Sequence, residues 1–260
     1  MTRMIIKEGF DTFIWARRAE TLEPFKNAGA TVVSSLLELG ERAAVIGICV
    51  HNDDDVRQVV DGDGQGVLHG MQPGGVIAVH STIMPETCLV LDRLAAERGV
   101  RVIDAPVSGG RDAPENKSLS VLVGGDAAAF EMALPIFRSY GNPVRHLGPL
   151  GSGQRMKALN AVVNFANMRV AHIGFAVADE LGMNPAAVRE VMLNSSGASV
   201  GMERVVNRFE KDPDFAKTHA APTMMKDVGV LASVCREAGI AETLIEGLAT
   251  DYIEVLKQGE

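Results

Sequence analysis

Three stretches of the chain carry residue types able to handle a small acid and its hydroxyl group. "GSGQRMKALN" (151–160) sets Lys157 early on a long, mostly apolar helical run, just after a glycine-rich bend. An amine serves as an acid/base when burial and nearby positive charge lower its pKa; taken alone, Lys157 reads first as an ordinary solvated surface lysine. "DAPVSGG" (104–110) ends a predicted strand in a serine and two glycines. Glycines there let backbone N–H groups approach a ligand and form an anion nest, although the same residues suit a plain tight turn. "HSTIMPET" (80–87) puts two hydroxyls, Ser81 and Thr82, at a strand's carboxyl end ahead of a helix. Ligands of open α/β sheets bind at that edge, and helix capping is the competing use. The acidic "HNDDD" (51–55) reads as the first turn of a helix, where carboxylates suit the dipole, and no metal site is expected there.

The elements that must position these residues fall into two groups. Short β-rich runs alternate with helical stretches through the first part of the chain. Strands are expected over 11–16, 31–35, 43–50, 74–81, 100–107 and 119–125, and helices over 19–29, 53–62, 85–99 and 127–141. Continuous apolar strands separated by helices imply a parallel sheet covered on both faces. After Gly153 no strand signal recurs. The run 154–181 contains no proline and a single glycine, and as one helix would extend roughly 42 Å. Further helices fit 185–194, 199–211, 223–238 and 241–257. The expected organisation is an α/β Rossmann-like domain over 1–150 followed by an all-α domain over 151–260.

Composition narrows the classes of function. Of the 260 residues, 47% are hydrophobic and 22% charged, an ordinary globular balance. A net charge of −8 argues against non-specific binding to nucleic acid or an anionic membrane, while leaving a local site for a small anion open. Three scattered cysteines without paired spacing suggest free thiols in a reducing compartment, and the expected location is cytoplasmic. Cys49, inside "AAVIGICV", reads as core packing.

Together, and in this order, "WARR" (15–18), "STIMP", "DAPVSGG", "GSGQRMKALN" and "MMKDVGVL" (224–231) resemble the β-hydroxyacid dehydrogenase family, whose members include 3-hydroxyisobutyrate dehydrogenase and tartronate semialdehyde reductase. The resemblance spans essentially the whole chain. It implies an NADP- or NAD-dependent oxidation of a small 3-hydroxy acid to the corresponding oxo acid, with Lys157 as the catalytic acid/base. It also implies that Ser108, Gly109 and Gly110 hold the substrate carboxylate and that Val50, His51, Thr82 and Lys226 contact the cofactor. Asn160 can assist Lys157 from the same helical stripe. Family members pair, so a homodimer or homotetramer through the helical domain is expected. NADP is the expected cofactor: an Asp or Glu at the end of the family's second strand binds the NAD ribose, whereas "WARR" offers Ala16 followed by Arg17 and Arg18.

The departures are as specific as the matches. Ala161 stands where the family carries a second asparagine, and Ala113 and Lys117 stand where relatives often have glycine. Aligning "WARR" with the family strand sets Met1 inside the helix that follows the glycine-rich loop. The expectation is therefore an N-terminally truncated Rossmann-like domain without the first strand and its G-x-G-x-x-G turn, about fifteen residues in all. A second reading stays open: a non-catalytic or truncated paralogue that keeps the helical dimerisation domain.

Overall fold

In the first half of the chain, apolar runs bounded by glycine and proline become strands, and the polar-capped stretches between them become helices. The computed structural model describes residues 1–110 and 113–258. The chain divides into two units, Met1–Lys157 and Ala158–Glu260.

The first unit begins with α1 (Thr2–Lys7), β1 (Phe13–Ile14), α2 (Glu23–Lys26), β2 (Thr31–Val32) and α3 (Leu36–Arg42). It continues through β3 (Val45–Ile48), α4 (Asp53–Val60), α5 (Val67–Gly70), β4 (Val76–Val79), α6 (Pro85–Ala96) and β5 (Arg101–Asp104). β6 (Val107–Ser108), β7 (Leu119–Val123), α7 (Ala127–Phe137) and β8 (Gly141–His146) complete it. β3, β4 and β5 form a parallel sheet in that order, with Val45 opposite Val76 and Val76 opposite Arg101. All four residues of β4 are buried. Their side chains alternate: Ile77 and Val79 join a core with Val56, Leu68 and Leu91, while Val76 and Ala78 join one with Ile103, Phe130 and Phe137. Covering on both faces is what a near-continuous apolar strand requires. β1 and β2 form a separate parallel pair, and β6, β7 and β8 a third sheet.

α8 (Ser152–Glu180) is a single helix that contains the division between the units. The second unit continues with α9 (Pro185–Leu193) and α10 (Val200–Arg204), which passes into a π-helical turn, Val205–Phe209. α11 (Pro213–Phe215), a second π turn, Ala216–Ala220, α12 (Ala221–Glu237) and α13 (Leu244–Gln258) follow. No strand occurs in this unit among the described residues.

Several boundaries differ from the sequence-based expectation. The strands expected over 11–16 and 31–35 each contract to two paired residues. The helix expected over 19–29 breaks into a 3₁₀ turn, Ala19–Thr21, and α2, with Pro24 in its first turn. β8 was not expected because "GNPVRH" is polar; it is mostly exposed and lies at the end of its sheet, where Pro143 costs no ladder bond. α3 was also missed, although its capping box was legible: Glu38 N–H donates to Ser35 Oγ, and the Glu38 carboxylate accepts from Ser34 N–H and Oγ. Cys49 is exposed rather than core, because it follows a strand whose outer edge is unpaired.

Candidate active site

Asp104 ends β5 and is fully buried. A buried carboxylate needs donors, and here they come from Gly151, just before α8, and from the first turn of α8, whose N–H groups have no partner inside the helix. Asp104 Oδ1 accepts from Gly151 N at 2.7 Å, and Oδ2 from Gln154 N at 2.6 Å. Burial pushes its carboxyl above the ordinary range despite these donors. The approach depends on missing side chains: a Cβ on Gly153 would lie 2.2 Å from Leu122 O and 2.7 Å from Asp104 Oδ2. "DAPV" and "GSGQ", some fifty residues apart, are thus one structure.

Gln154 adds the third stretch. Its side chain is fully buried; Nε2 donates to Ser81 O at 2.8 Å, and Oε1 accepts from Ile83 N at 3.2 Å. Ser81 Oγ in turn accepts from Val50 N at 2.8 Å, just beyond β3. The loops following β3, β4 and β5 are all tied, directly or through one residue, to the start of α8. Lys157 follows Gln154 by one helical turn and is half-buried. Ser81 and Thr82 do not cap α6: its N-cap is Met84, and Asp53 from α4 accepts from Met84 N at 3.0 Å and from Thr87 Oγ1 at 2.6 Å.

The remaining acids of "HNDDD" have assigned work. Asp54 pairs with Arg57 at 3.1 Å, and Asp55 Oδ1 accepts from Arg17 at 2.6 Å, which holds the Asp55 carboxyl below its ordinary range. Asn52 caps α4 by accepting from Asp55 N. Among the described residues no group of three or more His, Cys, Asp or Glu is placed to hold a metal ion.

Gly109 (φ +146°) and Gly110 (φ +92°) adopt backbone conformations that disfavour side chains, directly after Ser108 in β6. A Cβ on Gly109 would come within 2.9 Å of the Ala113 methyl. Arg111 and Asp112 lie outside the described residues. Lys117, at a position where relatives often have glycine, takes φ +52° and pairs with Glu8. Arg17, Arg18, Val50 and His51 come together at the carboxyl ends of β1 and β3, lining a cavity of about 1030 Å³. Asn160 is exposed on α8, Ala161 is buried, and Lys226 is exposed on α12 in the second unit.

Residues 1–148 match the family model described as the NAD binding domain of 6-phosphogluconate dehydrogenase. Residues 151–260 match that described as NAD-binding of NADP-dependent 3-hydroxyisobutyrate dehydrogenase. The chain belongs to the β-hydroxyacid dehydrogenase family. It is 31% identical to a probable 3-hydroxyisobutyrate dehydrogenase-like 2, mitochondrial, of Arabidopsis thaliana, over 89% of this chain and 77% of that protein. It is 28% identical to the 2-(hydroxymethyl)glutarate dehydrogenase of Eubacterium barkeri, over 91% of this chain and 78% of the relative. A solved 3-hydroxyisobutyrate dehydrogenase from Salmonella typhimurium shares the fold, with TM-score 0.85 and 23% identity, covering 99% of this chain and 90% of that one.

As a family member the protein is an NAD(P)-dependent 3-hydroxyacid dehydrogenase-like oxidoreductase. The residues present fit the adenosine end of a dinucleotide: Arg17 and Arg18 offer cations beside Ala16, and Val50 and His51 line the same cavity. No glycine-rich strand-to-helix turn lies between β1 and β3 among the described residues. Asp104 and Gln154, which hold the three motifs together, escaped the sequence reading. Their partners lie 47 to 73 residues away, beyond any spacing rule.

Proposed function

We propose that the protein oxidises a small 3-hydroxy acid of the 3-hydroxyisobutyrate type to the oxo acid, or carries out the reverse reduction, with NADP as preferred cofactor. Lys157 removes the hydroxyl proton in the oxidation and returns it in the reduction. A bound nicotinamide would supply the acceptor for the hydride released from the carbinol carbon. Ser108 and the N–H groups of Gly109 and Gly110 hold the substrate carboxylate, and Asn160 assists Lys157 from the same stripe of α8. Thr82, Val50, His51 and Lys226 contact the cofactor, and Arg17 and Arg18 meet its 2′-phosphate. The observation that carries this reading is the buried Asp104–Gln154 network, which joins the "STIMP" and "DAPV" stretches to the helix turn before Lys157. General acid–base catalysis depends on such fixed positioning.

Direct binding of NADP and NAD, followed by turnover of a panel of 3-hydroxy acids, tests the proposal. Saturable NADP binding with turnover of at least one acid supports it; dinucleotide binding without turnover of any acid in the panel defeats it. A second reading, a non-catalytic family member, draws on the separation of β1 from β3, and predicts no dinucleotide binding at all.

We also propose that two copies pair along α8. Met156, Leu159, Val163, Val170, Ile173 and Val177 are all exposed, at spacings that repeat the three-and-four pattern of a helix–helix seam. By length and composition α8 would also pass for a membrane span. It nevertheless carries Arg155, Lys157 and Arg169, and Arg169 pairs with Asp251 of α13, which favours a protein partner for the stripe.

A further inference from the structure

Arg204 and Arg208 stand four residues apart where α10 passes into its π-helical turn, Val205–Phe209. Residues so spaced are neighbours on a helix surface. Val205 and Phe209, one position further on, are buried, so the same turn buries its apolar pair and presents its cationic pair. Neither arginine forms an ion pair among the described residues. Of the acids nearest in sequence, Glu210 is paired with Arg189, and Asp212 accepts from Phe215 N–H at the start of α11. Arg204 is half-buried; burial lowers its pKa from the ordinary value, and the Arg208 charge lowers it further. A guanidinium nevertheless stays protonated at neutral pH, so this face carries two adjacent cations without a paired carboxylate.

Arg208 is also held in place. Its Cζ lies 4.3 Å from the centre of the Phe215 ring, and Phe215 stacks parallel to His219, with centroids 5.5 Å apart and planes inclined by 4°. Thr218 fixes that imidazole: its Oγ1 donates to Asp214 O at 2.6 Å and accepts from His219 Nδ1–H at 2.7 Å. A guanidinium laid on an aromatic face keeps the N–H groups at its edge available for an oxyanion.

We infer that Arg204 and Arg208 form an anion site within the helical unit that takes a phosphoryl group, as free phosphate or as a small phosphate monoester. The fork of a single arginine is filled by one carboxylate. Two adjacent forks match a group with three acceptor oxygens and a charge of about −1.5 to −2 at neutral pH. Fixing Arg208 on Phe215 before the ligand arrives reduces the entropy lost on binding. All these residues belong to the second unit, so the inference needs neither Lys157 nor a dinucleotide.

The test follows the arginine Nε–Hε resonances of the full chain by NMR, assigned through single Arg→Lys variants, during titration with inorganic phosphate and with glycerol phosphate. Ionic strength is held constant with chloride, and acetate is titrated as the carboxylate control. The expected result is a saturable shift of both the Arg204 and Arg208 signals in the millimolar range or below. The tighter of the two phosphates identifies the free or the esterified source. In Arg208→Gln the Arg204 signal should need at least about tenfold more phosphate, because one of the two charged forks is gone. Unmoved signals from the other arginines of the second unit show that the variant is folded. The Arg17 and Arg18 signals report separately on any phosphate held at the proposed cofactor contact. No shift of Arg204 and Arg208 at tens of millimolar phosphate would overturn the inference. So would an unchanged phosphate affinity in Arg208→Gln, or an equal response to acetate.

Discussion

Replacing Gln154 with leucine keeps the side-chain volume and removes both polar atoms that bridge the 80–84 loop to α8. Ser81 O and Ile83 N then lose their partners inside the protein. Each buried group left unpaired costs about 1–3 kcal/mol, so the pair costs about 2–6 kcal/mol. A leucine buried in the same place recovers up to about 2 kcal/mol, leaving a net loss centred near 2 kcal/mol. Trp15 is the single tryptophan and belongs to the first unit, so its fluorescence follows that unit's unfolding in urea. With a urea slope of about 2 kcal/mol per molar, the midpoint falls by about 1 M. Turnover falls about 10- to 100-fold, since displacements near 1 Å at a reacting centre have that effect. Gln154→Glu supplies a control with its own signature. Its carboxylate keeps an acceptor for Ile83 N but turns an oxygen toward the Ser81 carbonyl, so its deficit shrinks as the pH falls and a proton fills that contact. A Gln154→Leu protein with an unchanged midpoint and unchanged turnover would refute the claim that this amide holds the site together.

Acid sensitivity should trace in part to His80. Its Nδ1–H donates to Ala105 O at 2.6 Å, its Nε2 accepts from the Tyr140 hydroxyl at 3.1 Å, and burial holds its pKa below 6.5. The unfolded chain therefore takes up this proton first as the pH falls. The contribution to stability is complete above about pH 6.5 and is lost as the pH drops through the folded-state value, and His80→Gln should flatten that part of the urea-midpoint profile. Neutralising Arg17 and Arg18 together should weaken NADP selectively, and Asp55→Asn, by releasing Arg17 from its ion pair, should raise the NADP-to-NAD preference severalfold; equal changes for both cofactors would remove the phosphate argument. Val170→Asp with Ile173→Asp should shift the protein to monomer by light scattering, and an unchanged assembly would clear α8 of that role.

What the sequence revealed followed from local rules. Buried strands such as "VIAV" (76–79) and the helix that opens in the acidic "HNDDD" rest on patterns within a few residues, and they fold as those patterns dictate. The same is true of the positive φ at Gly109 and Gly110. What stayed hidden depends on distance along the chain. Asp104 looks like an ordinary strand end until Gly151 and Gln154 arrive to donate to it, and Gln154 looks like a helix-start residue until its amide meets Ser81. Arg17 illustrates the same limit: "WARR" announces two cations, but Asp55 occupies one of them from 38 residues away. Cys49 was misread for a related reason, because an apolar run does not disclose whether the neighbouring position in the sheet is filled.

The most direct test of the central claim is a comparison of Lys157→Ala with the unaltered protein, measuring cofactor affinity and turnover of the best 3-hydroxy acid on the same preparations. If Lys157 is the acid/base, dinucleotide affinity stays within a fewfold while kcat falls by about 10²–10⁴, the range that a positioned proton donor contributes. A folded Lys157→Ala protein that binds cofactor and turns over its acid at the original rate would contradict the account.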